Sequence, residues 1–175
     1  MTNTTDVTGR IVVVVGNPQP RSRTSAAATL VGERLAALVA ADVDIVELAD
    51  HGPGLLAWGD PGIDELRRKV LASSALVVAT PTYKATYTGL TKLFLDRFDS
   101  GELAGKTTVA LMTGGSPAHS LALPVHLTPV LSEIGASCPA PGLYLSGPQI
   151  DHPGPPVDEW FSTAEPVLRR ALGAV

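Results

Sequence analysis

Short runs of β-branched and other apolar residues alternate along this chain with longer segments whose apolar positions recur at helical spacing. The short runs predict strands at Arg10–Val15, Val43–Leu48, Ala75–Thr80 and Thr107–Met112, with a weaker one within Gly142–Leu145. The longer segments predict helices at Thr24–Ala40, Ile63–Ala72, Gly89–Phe98, Leu121–Ile134 and Val157–Leu172, the last kinked or interrupted at Pro166. Strands 1 and 3 carry no polar face, as suits parallel strands covered by helices on both sides. Five strand and helix alternations of this kind predict a doubly wound α/β sheet with strand order 2-1-3-4-5. That order reverses between strands 1 and 3, so a ligand is expected beyond their carboxyl ends, against the loops after strands 1, 3 and 4.

Length and composition narrow the picture. The 175 residues, 45% of them apolar, suit one domain over 1–175 with a sizeable core, residues 1–9 being polar and expected to be flexible. The formal charge of −4 argues against a nucleic-acid groove. One cysteine, Cys138, excludes an internal disulfide, fits a reducing compartment and reads as a small buried side chain. Met1–Gly9 does not read as a signal peptide, and the apolar runs fall far short of the roughly 20 residues of a membrane-spanning helix. A cytoplasmic protein without membrane contact is expected. His51, His126 and His152 show no metal-ligand spacing. The Pro/Gly-rich stretch Gly147–Pro156 reads as a surface connection.

The chemistry concentrates in three loops. After strand 1 comes Gly16-Asn17-Pro18-Gln19-Pro20-Arg21-Ser22-Arg23-Thr24-Ser25, which leads straight into a helix. Hydroxyls, helix-terminal N–H groups and two arginines together describe an anion site, whereas capping alone would not need both Arg21 and Arg23. The spacing is neither that of a P-loop nor that of a dinucleotide fingerprint. Glu47, at the end of strand 2, then reads as an exposed carboxylate, and Gly52 and Gly54 as turn residues. After strand 3, Pro81, Thr82, Tyr83 and Lys84 begin a loop that also holds Tyr87, two of the three tyrosines. Pro81 is expected to leave neighbouring N–H groups free for a planar ligand. After strand 4, Gly114 and Gly115 allow close approach to the backbone, followed by Ser116 and His119. Gly-Gly-Ser-Pro-Ala lacks the second glycine of a nucleophile elbow, so a Ser116–His119 catalytic pair is disfavoured. Lys84 and Arg97 read as solvated charges and Asp96 as a surface carboxylate.

Three stretches in combination, the first loop, Pro81-Thr82-Tyr83-Lys84-Ala85-Thr86-Tyr87-Thr88-Gly89-Leu90 with Lys92 and Leu95-Asp96, and Gly114-Gly115-Ser116-Pro117-Ala118-His119-Ser120-Leu121-Ala122-Leu123 with Pro129-Val130-Leu131, resemble the flavodoxin-like NAD(P)H-dependent FMN reductases. The resemblance covers residues 10–146 and is closest to the flavin reductases of alkanesulfonate monooxygenase systems. Asn17 stands where that family commonly has serine, Gln19 where arginine is frequent, and Pro124-Val125-His126 where the sulfonate-linked members are more helix-friendly.

The resemblance implies FMN with NADPH or NADH, and hydride transfer carried by the flavin without a protein nucleophile. By position, Asn17, Arg21, Ser22, Arg23 and Thr24 would meet the FMN phosphate. Pro81, Thr82, Tyr83 and Lys84 would border the ring, and Gly114, Gly115, Ser116 and His119 would close its other side. A partner monooxygenase receiving reduced FMN, and a homodimer or homotetramer, are further implications. The apolar stripe Leu90, Leu93, Phe94 and Phe98 divides between core and interface. An FMN-dependent quinone, azo or chromate reductase and a flavodoxin-like electron carrier are the alternatives. So few aromatic residues predict a ring held by backbone and small side chains, not an aromatic sandwich.

Overall fold

The structure, a computed structural model, describes residues 9–174; Met1–Thr8, nearly all of the stretch expected to be flexible, lie outside the described residues. The strands β1 (Arg10–Val15), β2 (Asp42–Glu47), β3 (Ala75–Pro81), β4 (Thr107–Gly114) and β5 (Leu143–Ser146) form one parallel sheet in the order 2-1-3-4-5. Seven helices accompany it: α1 (Arg23–Val39), α2 (Gly52–Leu56), α3 (Pro61–Ala72), α4 (Gly89–Leu95), α5 (Thr128–Glu133), α6 (Pro148–Asp151) and α7 (Gly154–Leu172).

The period-two alternation of strand side chains explains why β1 and β3 are apolar throughout. Val12, Val14, Leu76, Val78, Ala110 and Met112 pack with Leu66, Val70, Phe94 and Leu131 on one face. Ile11, Val13, Val15, Val77, Ala79, Val109 and Leu111 pack with Ala28, Val31, Leu35, Val157 and Leu168 on the other. Each fully buried Val, Leu, Ile or Phe contributes about 1.5–3 kcal/mol, so both faces hold the sheet. Phe94 and Phe98 of the predicted stripe belong to this core, and Leu90 and Leu93 are half-buried against it.

The departures from sequence expectation all have local causes. The predicted helix Leu121–Ile134 is a π turn at Leu123–Leu127 followed by the short α5, because Pro124 and Pro129 each remove an N–H from the ladder. Pro166 does not interrupt α7: Pro166 and Ser162, four residues earlier, are exposed, so water can satisfy the carbonyl left without a donor. Gly52 and Gly54 are not turn residues but lie in α2, where Gly52 has right-handed helical dihedrals. Gly147–Pro156 is likewise more than a connection, since it contains α6 and the first turn of α7, with prolines in the opening positions where no intrahelical donor is needed. The helix after β3 ends at Leu95, and Phe98 N–H bonds Leu95 O in a tighter turn.

Candidate functional site

The carboxyl ends of β1, β3 and β4 open onto a cleft of about 430 Å³, within the range of small-molecule sites. Its walls are Asn17, Gln19, Pro20, Arg21, Ser22, Arg23 and Thr24 on one side, Pro81, Thr82 and Tyr83 on the second, and Thr113, Gly114 and Gly115 on the third, with Ile150 of α6 closing one end. The position follows from topology. α1 leaves β1 on one side of the sheet and α4 leaves β3 on the other, so the loops diverge where the strand order reverses.

The first loop is built to leave donors open. Ser22 caps α1, its hydroxyl accepting from Ser25 N–H at 3.2 Å. The N–H groups of Ser22, Arg23 and Thr24 have no acceptor among the described residues. They head a 17-residue helix, whose aligned peptide dipoles favour negative charge at this end. Thr24 is buried and anchors the turn. Its hydroxyl receives the Asn17 side-chain amide at 3.2 Å and shares a 2.7 Å hydrogen bond with the Thr113 hydroxyl on β4. Asn17 Oδ1 in turn accepts from Gln19 N–H at 2.9 Å. Asn17 thus shapes the loop from within.

The two arginines differ. Arg23 extends across to α6 and pairs with Asp151 at 2.7 Å, an exposed contact worth about 0.2–1 kcal/mol. The Arg21 guanidinium meets no carboxylate among the described residues. Its backbone sits at φ 53°, in the left-handed region that a non-glycine residue occupies only under restraint.

The second loop contradicts one expectation. Thr82 N–H donates to Thr113 O at 2.6 Å and Tyr83 N–H to Thr86 O at 2.8 Å, so neither is free to face a ligand. Pro81 ends β3 in register with Thr113, and the chain then makes a two-residue reversal through Lys84 (φ 50°) and Ala85 (φ 65°). A turn with both central residues left-handed ordinarily carries glycine or asparagine, which is why the sequence did not announce it. Lys84 stands exposed at its apex and does not line the cleft. What the loop does offer is the Thr82 hydroxyl, buried and without a hydrogen-bond partner among the described residues, at the cleft wall. An orphaned hydroxyl of this kind is costly unless a ligand completes it.

The third loop divides its two glycines. A Cβ on Gly114 would overlap the Tyr144 hydroxyl, which donates to Ser116 O at 2.9 Å, whereas a Cβ on Gly115 would meet nothing. Ser116 and His119 do not line the cleft. The Ser116 hydroxyl accepts from Ala118 N–H at 3.2 Å to cap the 3-10 turn Pro117–His119, and His119 is exposed at the end of that turn. No Ser–His pair is formed. Tyr83 is the aromatic residue among the cleft's walls, and Tyr87 packs against the core instead. The anticipated absence of an aromatic sandwich therefore agrees with the placement of both tyrosines.

Sequence reasoning did not single out Gln19, Pro20, Thr113 and Ile150. The first two lie within the quoted loop and Thr113 directly precedes Gly114, but Ile150 reaches the cleft from far along the chain and carries no local signal. Two charges also sit differently from expectation. Arg97 is not a solvated cation: it donates to Leu55 O at 2.6 Å at the end of α2 and stacks on Trp58 at 4.4 Å. Glu47 is not an exposed carboxylate. It is half-buried, and its Oε1 accepts from the Ser25 hydroxyl at 2.5 Å and from Arg21 N–H at 3.2 Å.

Away from the cleft, burial pushes the half-buried Cys138 thiol above its ordinary value, leaving less thiolate at neutral pH than in the unfolded chain. Iodoacetamide is therefore expected to label the native protein more slowly than the denatured one at pH 7.5, with the native rate still rising at a pH where the denatured rate has levelled. Mass spectrometry of the Cys138 peptide over a pH series checks this.

Fold and cleft together define a flavodoxin-like α/β protein with an anion-binding turn at the switch point of its sheet. The family described as NADPH-dependent FMN reductase matches residues 9–149, and the chain belongs to that family. It is accordingly an oxidoreductase of the NAD(P)H-dependent FMN reductase kind. "FMN reductase (NADPH)" of Escherichia coli strain K12 is 32% identical over 146 residues, covering 81% of this chain and 75% of that protein. "NADH-dependent FMN reductase SfnF" of Pseudomonas putida is 34% identical over 143 residues, covering 78% and 77%. Among solved structures, an apo NADH:FMN oxidoreductase (EMOB) superposes with TM-score 0.74 at 30% identity over 89% of this chain and 90% of that one. An oxidoreductase from Corynebacterium diphtheriae gives TM-score 0.78 at 31% identity over 95% and 94%. Among the described residues, no helix is long and apolar enough to cross a membrane.

Proposed function

We propose that this cleft binds FMN phosphate-first, with the phosphate at the head of α1 and the ring between the second and third loops. The observation that carries the reading is the row of unpaired N–H groups at Ser22, Arg23 and Thr24 facing the same cleft as the unpartnered Thr82 hydroxyl. One end offers donors to an anion and the other a polar contact to a planar ring, so the residues present suit this cofactor.

The chemistry supplied by the cofactor is acceptance of a hydride from a reduced nicotinamide. The protein binds and orients. Arg21, free of carboxylate partners, adds positive charge at the phosphate end. Thr24, locked between Asn17 and Thr113, fixes the turn against β4. Pro81, Thr82, Tyr83, Gly114 and Gly115 border the ring, and Tyr83, 49% exposed, leaves that side of the cleft accessible to a second nucleotide. Lys84, Ser116 and His119 stay outside this proposal, because their positions place them beyond the cleft wall.

We extend the proposal to the whole protein. Residues 1–175 act as one cytoplasmic domain, assembled as a homodimer or homotetramer, that passes reduced FMN to a partner monooxygenase. Supporting this are the printed names of the relatives and the single cysteine. Purified protein given FMN is expected to oxidise NADPH or NADH, followed by loss of nicotinamide absorbance. No oxidation with either nucleotide overturns the reading. Light scattering checks the assembly.

A further inference from the structure

We infer that Glu47 is the positioning residue of the anion loop, and that it gives the protein its preference for a phosphorylated flavin over the bare riboflavin ring. The inference deepens the reading above and rests on it.

Glu47 ends β2, the edge strand next to β1, in register with Val15. From there its carboxylate meets the neighbouring loop, and one oxygen, Oε1, takes both available donors: the backbone N–H of Arg21 and the side-chain hydroxyl of Ser25. The other oxygen, Oε2, is buried and has no partner among the described residues. A carboxylate placed for stability alone would be solvated or would share its donors between both oxygens. This one leaves an oxygen unsatisfied to hold two points on either side of Ser22.

Those two points decide where the open donors go. Arg21 is in the left-handed region, a conformation that persists in a non-glycine residue only when surrounding contacts impose it. The bond to Glu47 is the contact made by its own N–H. It reverses the chain at Arg21 and turns the following N–H groups of Ser22, Arg23 and Thr24 toward the cleft. It also removes the Arg21 N–H from the set available to a ligand. Ser25, held by the same oxygen, sets the first turn of α1. Glu47 touches no wall of the cleft, and its negative charge by itself would oppose a phosphate, so what it contributes is geometry through Oε1.

The opposition of charge and geometry makes the inference testable with three variants of the full chain. FMN and riboflavin are titrated separately by flavin absorbance or fluorescence, circular dichroism confirming the fold. Glu47→Ala removes acceptor and charge, and is expected to raise the Kd for FMN about tenfold more than that for riboflavin. Glu47→Gln keeps an acceptor oxygen without the charge, and is expected to bind FMN as tightly as the wild type or more tightly. Glu47→Asp keeps the charge but withdraws the oxygen by one methylene, and is expected to lose FMN preference in the same direction as the alanine variant. Should Glu47→Ala not fold, the Gln and Asp variants decide between them. Equal effects on both flavins, no effect at all, or a Gln variant as impaired as the Asp variant overturns the inference. If the wild-type protein itself binds FMN no better than riboflavin, the phosphate-first reading is what has failed.

Discussion

Replacing Ser22 with Asp is expected to weaken FMN binding about a hundredfold while leaving the fold at least as stable as before. The two effects separate because Ser22 has two jobs. As N-cap of α1 its oxygen accepts from Ser25 N–H, and aspartate does this as well as serine and also suits the positive end of the helix dipole. As a wall of the proposed phosphate end, however, it would bring a carboxylate against a phosphate. At 4 Å and an effective dielectric of about 20 such a pair repels by about 4 kcal/mol per unit charge, and partial exposure of Ser22 reduces this to about 2.7 kcal/mol, the hundredfold quoted. Riboflavin, which lacks the phosphate, is expected to bind nearly as in the wild type. Equilibrium titration of the two flavins with a thermal melt checks both halves. A Ser22→Asp protein that binds FMN unchanged would place the phosphate elsewhere.

Replacing Gly16 with Ala is expected to produce the largest loss of stability at the site. Gly16 leaves β1 against the start of α4. Its N–H donates to Ala79 O at 2.8 Å and its carbonyl accepts from the Thr88 hydroxyl at 2.5 Å. A Cβ there would overlap the Thr91 hydroxyl and come within 3.2 Å of the Thr91 Cα, and Thr88 and Thr91 are both fully enclosed. Overpacking of this kind costs about 1–3 kcal/mol, and contact with backbone puts this position at the upper end. For a chain of this size each kcal/mol lowers Tm by about 2–4 °C, so a fall of about 6–10 °C is expected by calorimetry. Thr91→Ala removes the hydroxyl that the new methyl meets. The double variant should therefore lie closer to wild type than the two single effects would add to, which a double-mutant cycle measures.

Comparison of reading and structure is instructive at particular residues. The strand order and the three ligand loops were legible because they depend on local pattern: unbroken apolar runs at Ile11–Val15 and Ala75–Ala79 mean a strand covered on both faces, wherever the covering helices come from. Helix bounds failed where proline decided them by placement within a turn. Pro124 and Pro129 broke the helix predicted over Leu121–Ile134, while Pro166, on a solvent face, left α7 whole. The Thr82 and Tyr83 N–H groups were misread because their acceptors, Thr113 O and Thr86 O, became neighbours only when β3 paired with β4 and the turn at Lys84–Ala85 closed.

The sequence by itself determined that this is a doubly wound sheet in the order 2-1-3-4-5 and that its chemistry lies after strands 1, 3 and 4, since the periodicity of side-chain burial is a property of each segment alone. Tertiary structure alone decided how those loops are held. Glu47 reaches Arg21 across 26 positions of sequence, Thr24 reaches Thr113 across 89, and Arg23 reaches Asp151 across 128. Such contacts depend on strand register and on where each helix returns to the sheet, quantities to which no single segment is sensitive, and so the carboxylate that read as an exposed strand end became the anchor of the anion loop.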